Sequence, residues 1–384
     1  MKILCSTNMP FAAEAFGTLG EVTIKEGREI GPEDVQDVDI FATRSTTQVT
    51  PAFLDSERLK FIGTATIGVD HIAKEIRESD FPWCFSPGCN ATSVAEWLVA
   101  VCLEWCVKEN RRLQDLTLGI VGVGQVGSRI ARRAEALGMR VLLNDPPRAE
   151  REGSDGFTEL DELLAGSDIV TLHTPLEREG GHPTYHLADA GFFERIKPGA
   201  LLVNAARGGI IDSDALITAV DSGRVGTLVL DAWEGEPLVR ADVLERVWFA
   251  TPHIAGHSFE GKAMGTVMVY QAACQALGLE SRWSIDEHWP EPPVPEVRWE
   301  PSDLPLESQL LGLIRPVYSI AEDDQRFRES QGSGDEQERR SGFDACRKNY
   351  PMRREFRFTT VVMSQPQPEL ERLLRALEFQ VAVG

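Results

Sequence analysis

The chain has 384 residues, 42% of them hydrophobic, which is enough for two or three domains with cores of their own. Its formal charge is −21, and a field of that sign opposes nonspecific binding to nucleic acid or to an anionic membrane surface. Seven cysteines without a CxxC pair predict free thiols in a reducing compartment and no metal site.

From the amino terminus, residues 2–5, 22–24, 39–42 and 61–63 read as short strands separated by helical or turn segments. Met1-Lys2-Ile3-Leu4-Cys5 is too short an apolar run for a signal peptide. Strand–helix alternation at this spacing predicts a parallel, helix-covered sheet. Residues 93–109 predict a helix apolar on several faces, buried between domains. Glu96 and Glu104 interrupt it, so it is not a membrane span, and the protein is expected in the cytoplasm.

A strand at 116–121 then runs into Gly122-Val123-Gly124-Gln125-Val126-Gly127, followed by a helix at 128–137 and a strand at 140–144 that ends at Asp145. A lone GxGxxG says little. Here it sits between a strand and a helix, with an acid 18 residues beyond Gly127, which is the context of a dinucleotide site. Gly122 permits the tight turn, Gly124 lets backbone approach a pyrophosphate, and Gly127 allows close helix–strand packing. The free N–H groups of the following helix face the phosphates. Asp145 suits the ribose hydroxyls and repels an extra phosphate, so NAD is expected rather than NADP, although Arg148 nearby weakens that choice.

Further strands are predicted at 169–172, 200–204, 227–230 and 247–250. Three of them end in segments rich in chemistry: Val203-Asn204-Ala205-Ala206-Arg207-Gly208, Leu230-Asp231-Ala232-Trp233-Glu234-Gly235-Glu236-Pro237 and Thr251-Pro252-His253-Ile254-Ala255-Gly256. The carboxyl edge of an open α/β sheet is where ligands bind. Arg207 can grip a carboxylate in a bidentate fork. His253 can carry a proton near neutral pH, and Glu236 can hold the imidazole in one tautomer and stabilise its charged form. Taken singly, each has an ordinary structural explanation. Together, downstream of the fingerprint, they spell hydride transfer at a 2-hydroxy carboxylate. His71, His182, His186 and His288 lack comparable neighbours in the sequence, and His173 belongs to the cofactor side.

After a helix at 259–277 the composition shifts. Six prolines fall between Trp289 and Pro305, a linker or extended crossing segment. Residues 307–320 predict one helix and 332–340 a flexible polar stretch. A strand at 356–363, a helix at 368–379 and a strand at 380–383 make a small α+β unit, short for an independent core, so a partner subunit is expected to cover it. The expected fold class is α/β, with two doubly wound parallel-sheet (Rossmann-like) domains flanking a cleft. Residues 1–92 plus 256–284 would form the substrate domain, 93–255 the nucleotide-binding domain and 285–384 a C-terminal dimerisation domain.

With these segments in view, the chain resembles the D-isomer-specific 2-hydroxyacid dehydrogenase family over roughly residues 1–285. Gly63-Thr64-Ala65-Thr66-Ile67-Gly68-Val69-Asp70-His71, Pro87-Gly88-Cys89-Asn90-Ala91, residues 254–262 and Tyr350-Pro351-Met352-Arg353-Arg354-Glu355-Phe356 are similar to members that take a phosphorylated 2-hydroxy acid. That similarity reaches the C-terminal unit, which mediates homodimerisation in those members. The resemblance implies that Arg207, Glu236 and His253 are catalytic, and that Ser45, Thr66 and position 257 contact substrate. It implies that Gln125, Val126, Asp145, Thr174, Ala205, Asp231 and Gly256 line the NAD site. Position 257 is usually Tyr in the family and is His257 here. Arg44 and Arg347 are candidates for a substrate phosphate, each equally readable as a surface ion pair. Two alternatives stand beside this reading: a dehydrogenase of the phosphoglycerate or glycerate type, and an NAD-sensing interaction protein on the same fold, as in the C-terminal-binding-protein corepressors.

Overall fold

The computed structural model describes residues 1–332 and 334–384. The chain forms two compact units, Met1–Thr92 with His257–Glu291, and Ser93–Gly256 with Pro292–Gly384.

The first unit is built on five strands: β1 (Lys2–Ser6), β2 (Glu21–Lys25), β3 (Ile40–Thr43), β4 (Phe61–Thr64) and β5 (Trp83–Cys84). All pair in parallel, in the order β2-β1-β3-β4-β5. β3 and β4 are buried along their whole length, as strands covered on both faces must be. That is why they read as continuous apolar runs. The helix Phe259–Ala276 returns to close the unit, burying Val269, Tyr270, Ala273 and Cys274 against Ile3, Phe16 and Phe61.

The second unit carries β6 (Thr117–Val121), β7 (Arg140–Asn144), β8 (Ile169–Leu172), β9 (Ala200–Asn204), β10 (Val225–Leu230) and β11 (Phe249–Ala250), all parallel, in the order β11-β10-β9-β8-β6-β7. Strand order reverses between β6 and β8, and such a reversal opens the crevice that a doubly wound sheet uses for ligands. A third parallel sheet, β12 (Glu296–Trp299), β13 (Thr360–Met363) and β14 (Gln380–Val383), lies in the same unit in the order β12-β13-β14. Trp299, Leu310, Phe356 and Leu370 of this C-terminal segment share one apolar cluster with Trp97, Leu113 and Ile130.

Several sequence expectations need correction. The helix after the glycine loop is Gln125–Ala136 and begins inside the fingerprint. Residues 307–320 form parts of two helices, Leu306–Ile314 and Ile320–Ser330, because Pro316 lacks the N–H needed to continue the first. The stretch read as flexible runs into the helix Glu336–Lys348. A capping box outweighs its polar composition there: Glu338 N donates to Asp335 Oδ1 at 2.9 Å and Asp335 N to Glu338 Oε2 at 3.2 Å. The strand expected at 356–363 is a short 3₁₀ turn, Phe356–Phe358, followed by β13. Among the described residues all seven cysteines are free, no helix is long and apolar enough to cross a membrane, and no group of His, Cys, Asp and Glu could hold a metal ion.

Candidate active site

The glycine loop leaves β6 at the point where strand order reverses. Gly122 has φ +91, and a Cβ there would lie 2.7 Å from the His173 carbonyl carbon and the Thr174 nitrogen. Only glycine lets the loop pass this close to the end of β8. A Cβ on Gly127 would overlap the Gly122 carbonyl, whereas one on Gly124 would meet open space. Gly124, the N-cap of Gln125–Ala136, thus leaves room for a ligand against the helix's free N–H groups. The Thr174 hydroxyl beside it is buried and bonds to nothing in the protein. An open cradle, an unsatisfied hydroxyl and a carboxylate at the end of β7 fit a dinucleotide.

That carboxylate is Asp145. Its Oδ2 accepts from Val123 N at 2.8 Å and its Oδ1 from Arg148 N at 3.0 Å. It therefore fixes the glycine loop while leaving lone pairs for ribose hydroxyls. Arg148 donates to the Val123 carbonyl at 2.6 Å and binds Glu152 through Nε and Nη2 at 2.7–3.2 Å. With Glu152 matching its charge, Arg148 offers little to a second phosphate. Gln125 Oε1 accepts from Arg129 at 3.0 Å, and Val126 packs against the main core. His173, bonded to Thr171 Oγ1 at 2.8 Å, is pushed down to about pH 3 by burial and stays neutral beside the loop.

The three chemistry-bearing turns follow β9, β10 and β11 and are stitched together through backbone. Asn204 Oδ1 accepts from Ala206 N at 3.1 Å and its Nδ2 donates to the Arg207 carbonyl at 3.0 Å, which shapes the turn that presents Arg207. The Asn204 carbonyl takes Asp231 N at 2.9 Å, tying this turn to the next. A Cβ on Gly208 would overlap the Trp233 carbonyl, so glycine is required for the Arg207 turn to rest on the Glu236 turn. Trp233 N then donates to Glu236 Oε2 at 3.0 Å, and Glu236 Oε1 accepts from His253 Nδ1 at 2.6 Å. Burial alone would raise the Glu236 carboxyl. The His253 charge and hydrogen bond, the Trp233 amide and the Arg347 charge outweigh it and hold Glu236 below the usual carboxylate range. Both Glu236 and His253 keep 26% of their side chains exposed, and with Nδ1 bonded to Glu236 the other ring nitrogen of His253 is Nε2.

His253 has φ 56, in the left-handed region that costs a non-glycine residue energy. Asp231 is what holds it there. The Asp231 carbonyl accepts from His253 N at 2.7 Å, while its carboxylate accepts from Thr251 Oγ1 at 2.6 Å, Ile254 N at 2.7 Å and Ala255 N at 3.0 Å. The sequence marks Asp231 as a cofactor neighbour, and the structure gives it this anchoring work. Burial raises its carboxyl more than these four groups lower it.

Within the first unit, Ser45 is exposed in the turn after β3, and Thr66 follows β4 with its hydroxyl on the Gly68 carbonyl at 2.8 Å. Arg44 donates to the Ala65 carbonyl at 3.0 Å. His257 is half-buried, just before the N-cap Ser258 of the closing helix. In the second unit, Ala205 and Gly256 are half-buried beside the Arg207 and His253 turns.

Sequence reasoning missed two features. His186 does have a carboxylate partner, Glu234 Oε1 at 2.6 Å, and Glu234 also takes Ser213 Oγ at 2.6 Å, which braces the turn ahead of Glu236. Nothing local in the sequence pairs residues 48 apart. The second feature is Arg353, far along the chain, whose Nη1 reaches the Ala255 carbonyl at 3.0 Å.

Residues 98–255 match the family model described as "D-isomer specific 2-hydroxyacid dehydrogenase, NAD binding domain", and residues 289–377 match a domain of unknown function. The chain is 43% identical over 358 residues to an erythronate-4-phosphate dehydrogenase of Cronobacter sakazakii, covering 93% of this chain and 92% of that one. It is 40% identical over 388 aligned positions to an erythronate-4-phosphate dehydrogenase of Chromohalobacter salexigens, covering 100% of both. Among solved structures, the D-lactate dehydrogenase of Aquifex aeolicus complexed with NAD and lactic acid superposes with a TM-score of 0.55 at 25% identity, over 72% of this chain and 96% of that one.

Proposed function

Since the chain belongs to the erythronate-4-phosphate dehydrogenases, within the D-isomer specific 2-hydroxyacid dehydrogenases, we propose the following roles for its residues. The reaction is NAD-dependent oxidation of 4-phospho-D-erythronate at C2, giving (R)-3-hydroxy-2-oxo-4-phosphooxybutanoate, a step of pyridoxal 5'-phosphate (vitamin B6) biosynthesis. The observation that carries the mechanism is the 2.6 Å bond between His253 Nδ1 and Glu236.

Bound NAD supplies the hydride acceptor. Gly122, Gly124, Gly127 and the N–H groups of Gln125 and Val126 would hold its pyrophosphate, Asp145 its ribose, and Thr174, Ala205 and Gly256 the remainder. Arg207 clamps the substrate carboxylate and polarises the C2 oxygen. His253 takes the hydroxyl proton at Nε2, because its Nδ1 is committed to Glu236, and Glu236 stabilises the imidazolium that forms. Ser45, Thr66 and His257 contact the substrate in this reading, and imidazole at 257 keeps a hydrogen-bond donor where the family has a phenol. Arg347, whose charge is felt at Glu236, is the cation offered to the phosphate. We place the enzyme in the cytoplasm as a homodimer assembled through residues 285–384, without nucleic-acid or membrane partners.

The test is a turnover screen of purified protein against 4-phosphoerythronate, 3-phosphoglycerate, glycerate and lactate, with a 2-oxo acid present to reoxidise retained cofactor. Preference for 4-phosphoerythronate is expected. Preference for another acid reassigns the substrate, and NAD binding without any turnover points to a sensing protein. His253→Ala should lower turnover about 10²- to 10⁴-fold with NAD binding intact.

A further inference from the structure

The chain passes between its two units three times, at Thr92–Ser93, Gly256–His257 and Glu291–Pro292. One side chain from the C-terminal segment grips the backbone next to the first two of these crossings. Arg353 Nη2 donates to the Ser93 carbonyl at 2.6 Å, and Nη1 donates to the Ala255 carbonyl at 3.0 Å. The side chain is 3% exposed, and its guanidinium carbon lies over the Tyr318 ring, 4.0 Å from the centroid.

The surroundings commit it to this place. Ser93 Oγ donates to Glu355 Oε1 at 3.2 Å, Phe356 N donates to Glu96 Oε1 at 2.9 Å, and Glu96 Oε2 lies 4.0 Å from Arg353. Burial pushes Glu96 well up, helped by its neighbour Glu355 and opposed by Arg353. Arg353 is thus the cation beside the buried Glu96, and its fork is spent on two carbonyls from distant parts of the chain, while Glu355 pairs with Arg357 at 3.0 Å.

We propose that Arg353 is a positioning residue for proton transfer at His253. The turn from His253 to Ala255 is held at both ends. Its Ile254 and Ala255 N–H groups go to the Asp231 carboxylate, and its Ala255 carbonyl goes to Arg353. His253 stays in its left-handed conformation only while that turn is fixed. The Tyr350–Phe356 segment is therefore part of the catalytic apparatus, and it acts through the backbone rather than by touching substrate. This inference rests on the dehydrogenase reading above.

The experiment compares the full-length protein with Arg353→Lys and Tyr318→Leu. Lysine keeps the buried charge but presents no planar fork able to hold both carbonyls. Tyr318→Leu keeps the guanidinium and removes the ring under it. In Arg353→Lys, kcat with 4-phosphoerythronate should fall tenfold to 10²-fold, as small misplacements do. The NAD dissociation constant should stay within about twofold, since Arg353 touches no part of the glycine loop. The solvent deuterium isotope effect on kcat should rise as proton transfer becomes limiting. Tyr318→Leu should move the same two readouts in the same direction by a smaller factor, and it decides the matter if the lysine variant does not fold. Wild-type kcat and isotope effect in either folded variant overturn the proposal. Wild-type protein inactive on every 2-hydroxy acid would instead overturn the dehydrogenase reading.

Discussion

His253 Nδ1 and Glu236 Oε1 lie 2.6 Å apart, although the two residues stand on turns after different strands. The bond fixes which imidazole nitrogen is free for chemistry. Glu236→Gln keeps the shape but can no longer stabilise an imidazolium by charge, so kcat should fall about 10²- to 10⁴-fold. The NAD dissociation constant, read by cofactor fluorescence, should not change. Because Glu236 titrates below the usual carboxylate range, it stays ionised as pH falls from 7 to 5. An activity loss over that interval should therefore persist in Glu236→Gln.

Asp145 joins cofactor choice to loop structure in the proposed mechanism, since the oxygen that takes Val123 N belongs to the carboxylate proposed to meet the ribose. Asp145→Ala should weaken NAD binding roughly tenfold through one lost charge-assisted hydrogen bond and narrow its advantage over NADP. Titration with both cofactors checks this, and an unchanged NAD/NADP ratio would show that another group sets the choice.

Gly208→Ala pushes a methyl group into the Trp233 carbonyl. Backbone cannot yield as a flexible side chain does, so the Arg207 and Glu236 turns must separate. Overpacking of this kind costs about 1–3 kcal/mol. A lower melting temperature is expected together with a drop in kcat, whereas Gly124→Ala, facing open space, should spare stability and harm only NAD binding.

Arg347 is the cation we propose for the substrate phosphate. Its helix is docked on the catalytic turns through rings: Trp233 meets Phe327 at 5.7 Å, and Phe327 meets Phe343 at 5.7 Å. Arg347→Ala should raise KM for 4-phosphoerythronate about 10- to 100-fold, the value of one charge-assisted contact, and leave a non-phosphorylated 2-hydroxy acid unaffected. Arg44→Ala, whose guanidinium already serves the Ala65 carbonyl, should change this selectivity less.

His173 gives the fold a pH signature. Its folded value of about 3 lies below the ordinary 6.5, so the unfolded chain takes up a proton that the native one refuses. Its contribution is fully present above pH 6.5 and is lost as pH falls toward 3, at up to about 1.4 kcal/mol per pH unit. Urea melts at pH 7 and pH 5 should show the loss, and His173→Asn should reduce it.

The sequence by itself determined most strands of the two larger sheets, the glycine loop and the three turns, but not the short edge strand β5 or β12 in the proline-rich stretch. Each of these is local: an apolar run long enough to be covered on both faces, a glycine where no Cβ fits, and an Arg, Glu or His just past a strand end. It also marked both acids, Asp145 and Glu236. Only the tertiary structure decided which atoms those side chains bond, because the partners are separated in the chain by loops of arbitrary length. Asp231 as the anchor of the His253 turn, Glu234 as the partner of His186, and Arg353 at Ser93 and Ala255 are products of packing. Their hydrogen bonds form only once the strands have been laid side by side and the C-terminal segment has been buried against them.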